Sequence, residues 1–550
     1  MVLGLPYNEE TFVTNIKITG HIYHTFTGHH EKYDAIVIGS GIGGLSVAAI
    51  LSKAGKKVLV LERHYTVGGY THSFQRKGYS WDVGLHYVGQ VHIDGTPLNK
   101  IFRYISNENL KWAPLDDVYD RAVFGNEAFY FVRGKENLRA ALKKHFPETK
   151  DHVSIDAYFA LLDKVENLGI SYYIEKILPP FLARIFGSLL RRNVLKYSDL
   201  TTLSVLQSLT DNEKLIGVLT AQYGDYGLLP SQSSFYMHAL LANHYMDGAG
   251  YPVGGAGRIA QTIVPVIEEH GGSVLFYAEV KQIIVQNNTA MGVEMADGKK
   301  IFANLVISDA GVSNTYSKLL PTEVIRTHHL EEKLKNLEPS AAHVGVYVGI
   351  KDSAKNLKLP RCNYWVFPAE YNHELSQKRY ENIHSDIPVA YISFPAAKDP
   401  AWEEKHPNTS TVELITIVPY EWFSKWEQTD WKKRGEEYEQ LKKQVSEQLI
   451  EILYRVEPQL KGKIDYFDIS TPLSTKKFTN HQHGEIYGVA HTPKRFRQQF
   501  LKPYTPVKNL FLTGQDVMIA SIAGGLMGGV LCASAILKKD VFHHIKKMIK

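Results

Sequence analysis

The chain has 550 residues, of which 44% are hydrophobic and 22% are charged. These proportions are those of a globular protein, and they exclude a disordered, collagenous or coiled-coil chain. The 62 basic and 57 acidic residues give a formal net charge of +5, which is too small for a protein dedicated to nucleic acid. Two cysteines cannot build a disulfide framework, and the length predicts two to four structural units.

Two stretches contain no charged residue. Residues 35–52 and 517–537 are 18 and 21 residues long, which is the length of a membrane-spanning helix. Both contain several glycines, and the alternative is a buried strand that turns through glycine into a buried helix. The first residues of the chain carry no apolar signal-peptide core.

The first stretch belongs to a pattern of strand, glycine turn, helix, strand and acid. Residues 34–38 are a β-branched run, residues 57–61 are a second apolar run, and Glu62 follows. The spacing is that of a dinucleotide site, where glycines let the backbone approach a diphosphate at a helix N-terminus and the acid binds ribose. An acid at this position disfavours the 2′-phosphate of NADP. The predicted site residues are Gly39, Ser40, Gly41, Gly43, Gly44 and Glu62.

The next segment indicates which dinucleotide is bound. Arg63 is followed by the doublet Gly68-Gly69 and by an aromatic, glycine-rich run that includes Gly84-Leu85-His86-Tyr87-Val88-Gly89. Residues 57–89 resemble the retinol saturase and carotenoid isomerase branch of the phytoene desaturase-like flavoproteins. The resemblance implies an FAD cofactor, a Rossmann-type FAD-binding domain of the amine oxidase type, and cofactor contacts at Arg63, Gly68 and Gly69.

Later segments extend the resemblance to about residue 540. They are residues 251–255 (YPVGG), 306–316 (VISDAGVSNTY), 470–488 and 509–516 (NLFLTGQD). The resemblance implies that Val280 meets the adenine and that Gly514, Asp516 and Gly524 close the FAD site. It also implies that a strand-to-helix loop interrupts residues 517–537, which removes the membrane-helix interpretation. We expect a buried helix over 523–537 with its N-terminus directed at the flavin.

The predicted fold class is α/β with an α+β insert. The FAD-binding domain is expected to be discontinuous, over residues 31–110, 245–315 and 495–540. The inserts, residues 111–244 and 316–494, are expected to form a substrate-binding domain whose sheet covers the flavin.

Residues 174–192 are apolar, with the cations Lys176, Arg184, Arg191 and Arg192 and one acid, Glu175. This pattern suits a helix that lies on a membrane, with its cations toward lipid phosphate. The alternative is a helix packed on the substrate domain with a solvated basic side. We expect a cytoplasmic protein without a transmembrane helix that contacts a membrane peripherally through 174–192.

A second glycine motif, Gly255-Ala256-Gly257 with Ala260, is followed by Glu279. It formally matches a second dinucleotide site, and NAD(P)H is a candidate electron donor. Turn-forming residues precede it in place of a clear strand, so helix packing is favoured. No metal site is expected, although His481 and His483 are close in sequence and His21, His24, His29 and His30 cluster near the N-terminus.

His86 and Tyr87 are the candidate catalytic residues, either as proton donors or as parts of the flavin pocket. An imidazole titrates near neutral pH, which slightly favours His86 as the acid. The leading hypothesis is an FAD-dependent reductase of a carbon–carbon double bond in a long apolar polyene or isoprenoid lipid. The alternatives are a carotenoid desaturase or cis-trans isomerase, and a non-redox isoprenoid-binding protein on the same fold. The sequence sets neither the reaction direction nor the oligomeric state.

Overall fold

A computed structural model describes residues 19–28 and 32–549 of the chain. In chain order, its strands are β1 (His21–Ile22), β2 (Tyr33–Ile38), β3 (Val58–Leu61), β4 (Ser73–Arg76), β5 (Tyr79–Asp82), β6 (Val88–Gly89), β7 (Trp112–Pro114), β8 (Val118–Phe124), β9 (Glu127–Val132), β10 (Ala249–Pro252), β11 (Ser273–Phe276), β12 (Val280–Gln286), β13 (Thr289–Met295), β14 (Lys300–Ser308), β15 (Ala342–Ile350), β16 (Asn363–Phe367), β17 (Ala390–Ser393), β18 (Ser410–Val418), β19 (Ile464–Ser470) and β20 (Leu510–Leu512).

The helices, again in chain order, are α1 (Ile42–Lys53), α2 (Pro97–Ile105), α3 (Lys135–His145), α4 (Thr149–Glu166), α5 (Gly169–Ile177), α6 (Pro180–Ser198), α7 (Thr202–Leu209), α8 (Glu213–Leu219), α9 (Phe235–Tyr245), α10 (Arg258–Glu269), α11 (Val312–Asn314), α12 (Thr322–Thr327), α13 (Leu330–Leu334), α14 (His373–Arg379), α15 (Pro395–Lys398), α16 (Trp402–Lys405), α17 (Glu421–Ser424), α18 (Glu436–Val456), α19 (Pro472–Thr479), α20 (Pro493–Arg497), α21 (Ser521–Leu537) and α22 (Val541–Met548).

The first sheet has the order β1-β11-β3-β2-β14-β13-β12, and β20 also pairs with β14. Strands β3, β2, β14 and β20 run parallel, with Ile36 opposite both Leu59 and Val306. Parallel strands end at one edge of their sheet, and ligands of open α/β folds bind at that edge. The residues that follow these four strands are Gly39, Glu62, Asp309 and Thr513.

Helices α1 and α21 pack directly against each other beside this sheet. The Ser46 hydroxyl in α1 lies 1.7 Å from the position that a β-carbon on Gly529 would take, and the Ile42 side chain lies 2.8 Å from the corresponding position on Gly525. Small residues let two helix backbones approach closely. The second uncharged stretch is therefore a loop after β20 and a mostly buried helix, as predicted.

Within residues 19–28 and 32–549, no single helix is long and apolar enough to cross a membrane. Helices α21 and α22 reach that length and composition only as a pair, which is bent by 109°.

The second sheet has the order β19-β15-β18-β17-β16-β8-β9, and α18 packs on it. The hairpin β4–β5 connects this second sheet to the segment that leads into α10. On one side the Trp81 indole donates to the Val348 carbonyl, and Arg76 pairs with Asp468. On the other side the Asp82 carboxyl and the Ser73 hydroxyl accept the backbone N–H groups of residues 256 and 257. The α/β fold class with an inserted sheet is confirmed.

Residues 174–192 form the end of α5 and most of α6, with a break at residues 178–179. The prediction that all their cations face outward is wrong for Lys176 and Arg191, which are only 2% exposed. Arg191 pairs with the buried Glu175 at 2.8 Å, and Lys176 donates to the Leu501 carbonyl. These groups are buried because α5 and α6 dock on the segment around residue 500.

Candidate active site

The glycine turn after β2 has the geometry that its sequence predicts. Gly39 has a φ of +96°, which favours glycine. A β-carbon on Gly44 would collide with the Gly39 carbonyl oxygen, so glycine at 44 lets α1 approach the strand. Gly41 is the residue that immediately precedes α1 and caps its N-terminus. The partial positive charge of this helix end is suited to an anion.

The Asp309 carboxyl group, after β14, lies against this helix end. Its oxygens are within 2.6 Å of the positions that β-carbons on Gly41 and Gly43 would take. The backbone N–H groups of Gly41 and Gly44 donate to it, yet burial raises its pKa to about 8. Asp309 belongs to the motif of residues 306–316 and was not among the predicted site residues.

Glu62 occupies the predicted ribose-binding position at the end of β3. Its Oε2 accepts the Ser40 backbone N–H at 2.9 Å and the Ser40 hydroxyl at 2.7 Å, and Oε1 accepts the His64 backbone N–H at 2.8 Å. These bonds hold the carboxylate in place at the cavity wall. Val280 lines the cavity beside it, and Arg63 donates to the Lys477 carbonyl.

Asp516, in the loop after β20, links three segments of the chain through its carboxylate. Its two carboxylate oxygens accept the backbone N–H groups of Val312, at 2.8 Å, and Val489, at 3.0 Å. One side chain thus joins the loops after β14 and β20 to the segment around residue 489. Gly524 does not line the cavity; it packs against the Ile519 carbonyl, and its neighbour Gly525 lines the cavity instead.

A cavity of about 660 Å³ runs along this edge and continues toward the second sheet. The predicted residues that line it are Gly39, Gly41, Gly43, Glu62, Arg63, Gly69, His86, Tyr87, Val280, Gly514 and Asp516. The predicted residues that lie behind its wall are Ser40, Gly44, Gly68 and Gly524. Ser40 and Gly68 are linked there, because the Gly68 N–H donates to the Ser40 hydroxyl.

His86 lies at the end of the cavity that faces the second sheet. Its Nδ1 is 2.7 Å from Oε2 of Glu413, and the Lys398 ammonium donates to the His86 carbonyl. Burial lowers the pKa of His86 to about 3 and raises the pKa of Glu413 to about 8. At neutral pH this pair is therefore uncharged, and a neutral imidazole is a weak proton donor. The role of His86 as the acid stays a prediction.

The Tyr87 hydroxyl lies between two carboxyl groups, 2.9 Å from Asp120 and 2.8 Å from Asp225. The Tyr87 ring stacks on Tyr245 with centroids 4.4 Å apart. Asp120 is on β8, and Asp225 is in the 3₁₀ turn Tyr223–Asp225. Sequence reasoning missed both acids, because each is distant in sequence from Tyr87 and lies in no motif.

The second glycine motif has its N–H groups occupied. The Asp82 carboxyl accepts from residue 256 and the Ser73 hydroxyl from residue 257, so α10 begins against protein groups. The prediction that no strand precedes this motif is wrong, because β10 pairs there with β6 and β7. Its short, glycine-containing sequence hid the strand.

Within residues 19–28 and 32–549, no group of three or more histidine, cysteine or acidic side chains is placed to hold a metal ion. His481 hydrogen-bonds the Glu485 carbonyl, and His21 pairs with Glu268. His29 and His30 lie outside the described residues.

The residues at the sheet edge fit a dinucleotide. Glycines face the cavity where a diphosphate backbone must approach, a buried carboxylate stands at the ribose position, and two helices begin at this edge. The backbone N–H groups of Gly41 and Gly44 at the N-terminus of α1 donate to the Asp309 carboxyl group, so this helix end presents hydrogen-bond donors of the kind that a diphosphate needs.

Two known proteins are similar in sequence to this chain over most of its length. The chain is 36% identical over 531 residues to "All-trans-retinol 13,14-reductase" of Danio rerio, covering 93% of this chain and 87% of the relative. It is 25% identical over 525 residues to "Prolycopene isomerase 1, chloroplastic" of an Oncidium hybrid cultivar, covering 92% and 84%. Both relatives belong to the branch that residues 57–89 resemble, so that prediction is confirmed.

A solved structure of putrescine oxidase bound to putrescine shares the fold, with a TM-score of 0.61 at 15% identity, covering 92% of this chain and 100% of the other. The sequence model of the family described as flavin containing amine oxidoreductase matches residues 42–537. The chain therefore belongs to the flavin-containing amine oxidoreductase family, as an FAD-dependent oxidoreductase.

Proposed function

We propose that this chain reduces a carbon–carbon double bond of a long apolar polyene, of the class that includes retinol. The observation that carries the proposal is the cavity, which joins the dinucleotide-binding edge to an aromatic and aliphatic wall. That wall includes Leu85, Tyr87, Tyr245, Ile486, Tyr487 and Ile522. The relative named a retinol reductase, matched over nearly the whole chain, supports the same class of substrate.

Bound FAD supplies hydride equivalents in such a reaction. The chain binds and orients the polyene: the stacked rings of Tyr87 and Tyr245 give a flat, rigid surface for a conjugated chain. We propose cofactor-holding roles for the predicted glycines, Glu62, Arg63, Val280 and Asp516. His86, which is neutral in its pair with Glu413, is proposed to shape the wall beside the flavin.

The reaction direction is tested by the mass of the product. Dithionite-reduced holoenzyme is mixed anaerobically with all-trans-retinol, carotenes and unsaturated lipids, and oxidised holoenzyme is the control. We expect a polyene product heavier by two hydrogens. A lighter product would indicate a desaturase, and an unchanged mass with a new retention time would indicate an isomerase. A colourless, flavin-free preparation would favour the non-redox binding protein.

NAD(P)H is the electron donor that we propose, acting from outside on the bound flavin. The occupied N–H groups before α10 favour this arrangement over a second nucleotide site at the Gly255 motif. Replacing dithionite with NADPH or NADH in the same assay tests the donor.

We also propose the two-domain division of the sequence analysis. Strands β2, β3, β11–β14 and β20 of the first sheet come from residues 31–110, 245–315 and 495–540. The second sheet takes all its strands from residues 111–244 and 316–494.

We propose that α5 and α6 contact an anionic membrane surface, from which an apolar substrate enters. Phe181, Ile185 and Leu189 are 64–66% exposed and follow one another at intervals of four residues, so they form a stripe on α6. The exposed cations Arg192 and Lys196 continue this stripe. An exposed apolar stripe flanked by cations is typical of a helix at a lipid interface.

The double variant Phe181→Glu, Ile185→Glu is expected to lower liposome binding at least about tenfold, since burying one such side chain contributes about 1.5–3 kcal/mol. Flotation with vesicles containing phosphatidylserine measures the effect. Val153→Glu is the matched control, because Val153 is equally exposed, at 65%, but lies on α4. Unchanged flotation of the double variant would contradict the proposal.

A further inference from the structure

The Tyr87 hydroxyl group has one proton but contacts two carboxyl groups. The Tyr87 oxygen is within hydrogen-bond distance of Oδ2 of Asp120 and Oδ2 of Asp225. A tyrosine hydroxyl has one proton to donate and lone pairs to accept with. With both carboxyl groups ionised, one short contact would join two oxygens without a proton between them. One of the two acids must therefore carry a proton and donate it to the Tyr87 oxygen.

Asp120 is the acid that accepts. The Asn363 amide donates to its Oδ1 at 3.0 Å, and the Gln222 amide and the Trp365 indole donate to its Oδ2 at 2.6 and 3.3 Å. These three donors are N–H groups that cannot accept, so they favour an ionised carboxylate at Asp120.

The proton consequently lies on Asp225. Among the described residues, the hydrogen-bond partner that the structure gives its carboxyl group is the Tyr87 hydroxyl. Burial and the charge of Asp120 raise the pKa of Asp225 well above its usual value, which agrees with this assignment. The hydrogen bonds then run in one direction, from Asp225 to Tyr87 and from Tyr87 to Asp120.

Asp225 is also placed to reach a substrate. It lines the cavity together with Tyr87, Tyr245 and His86 and is half-buried, whereas Asp120 is fully buried. Of the ionisable groups at this end, His86 has a pKa that burial and the neighbouring Lys398 ammonium lower, so its imidazole is neutral. Asp225 instead combines a labile proton with a position at the cavity.

We propose that Asp225 is the proton donor of the reaction, that Tyr87 and Asp120 hold its carboxyl group in place, and that water in the cavity returns a proton to it after each turnover. This inference rests on the proposed function as a polyene reductase. Reduced flavin, when bound, would supply a hydride to one carbon of the double bond, where a C–H bond would form. The other carbon takes the Asp225 proton, so the acid O–H bond breaks, a C–H bond forms and Asp225 is left as a carboxylate. The two electrons come from the external reductant that reduces the flavin.

Asp225→Asn is the decisive variant, because the amide keeps the shape and can still donate to Tyr87. We expect it to bind flavin and to be reduced by dithionite like the unaltered protein. Reoxidation of its flavin by all-trans-retinol, followed anaerobically by stopped flow, should slow about a hundredfold or more, the usual scale for a lost general acid. Asp225→Glu should restore part of the rate. Asp211→Asn is the control, because its side chain is 88% exposed, and it should react normally.

The protonation of Asp225 is measured separately by infrared spectroscopy at neutral pH. The difference spectrum between the unaltered holoenzyme and Asp225→Asn should contain one carboxylic-acid C=O band, and the band should persist in His86→Ala. If Asp225→Asn fails to fold, Tyr87→Phe replaces it. That variant removes the acceptor of the acid proton, so it should shift the band, and an unshifted band would overturn the assignment.

The outcomes separate the two proposals. If the unaltered enzyme adds two hydrogens to retinol and Asp225→Asn does so within about threefold of its rate, Asp225 is not the donor while the reductase function stands. If the unaltered enzyme adds no hydrogens to any polyene, the function fails and proton delivery to an alkene fails with it. Absence of the carboxylic-acid band overturns the Asp225 assignment in either case.

Discussion

Replacing Gly41 with valine is expected to give a folded protein that no longer retains flavin. A β-carbon at this position would lie 2.6 Å from an Asp309 carboxyl oxygen, and Gly41 lines the cavity at the N-terminus of α1, so a larger side chain would crowd that end of it. Overpacking a close-packed site costs up to about 3 kcal/mol, which is a factor of about a hundred in cofactor affinity. The φ of Gly41 is −58°, so valine causes no backbone strain.

Flavin fluorescence titration of the deflavinated protein measures this affinity. The matched control is Gly55→Asn, in the same strand–helix–strand unit, where a β-carbon would meet no atom within 4 Å and asparagine tolerates the φ of +82°. The control should bind flavin normally. A yellow Gly41→Val protein with normal affinity would show that the cofactor does not approach this turn.

Replacing Glu175 with glutamine is expected to be the most destabilising single change considered. The Glu175 carboxylate accepts two hydrogen bonds from Arg191, at 2.8 and 3.0 Å, and lies 3.8 Å from the Lys502 ammonium. The buried Lys176 is its neighbour in sequence. Removing one partner of a buried pair costs about 3–5 kcal/mol, because the remaining charge is left without compensation.

The thermal unfolding midpoint of the holoenzyme should therefore be about 3–4 °C lower in Glu175→Gln. Asp199→Asn is the matched control: it makes the same carboxylate-to-amide change in a pair with Arg497, whose side chain is 65% exposed. Such a pair contributes less than about 1 kcal/mol. Equal midpoints for the two variants would mean that the Glu175 pair does not hold α5 and α6 in place.

The strand–glycine turn–helix–strand unit could be predicted because its determinants are local. The glycine turn, α1, β3 and Glu62 lie within about 30 residues, and each residue type there follows from backbone geometry or charge. The resemblance extended this prediction to Gly514 and Asp516, which the same sheet edge brings to the glycine turn.

The contacts of Tyr87 and His86 with buried acids could not be predicted, since the tertiary fold alone brings these residues together. Tyr87 meets an acid 138 residues away, and His86 meets Glu413 across 327 residues. The prediction that the cations of residues 174–192 face outward was wrong for a related reason. An amphipathic pattern does not distinguish a cation that faces solvent from one that pairs with a buried acid such as Glu175.

The hairpin β4–β5 has a mechanical consequence. It is hydrogen-bonded to the second sheet through Trp81 and to the start of α10 through Asp82. Asp82 also uses its backbone N–H to reach Glu413, the partner of His86. A hinge that opened the cavity between the two sheets would break these buried bonds together. The two halves should therefore move as one stiff body during turnover. A long, thin molecule would then have to enter the cavity end first to reach the flavin.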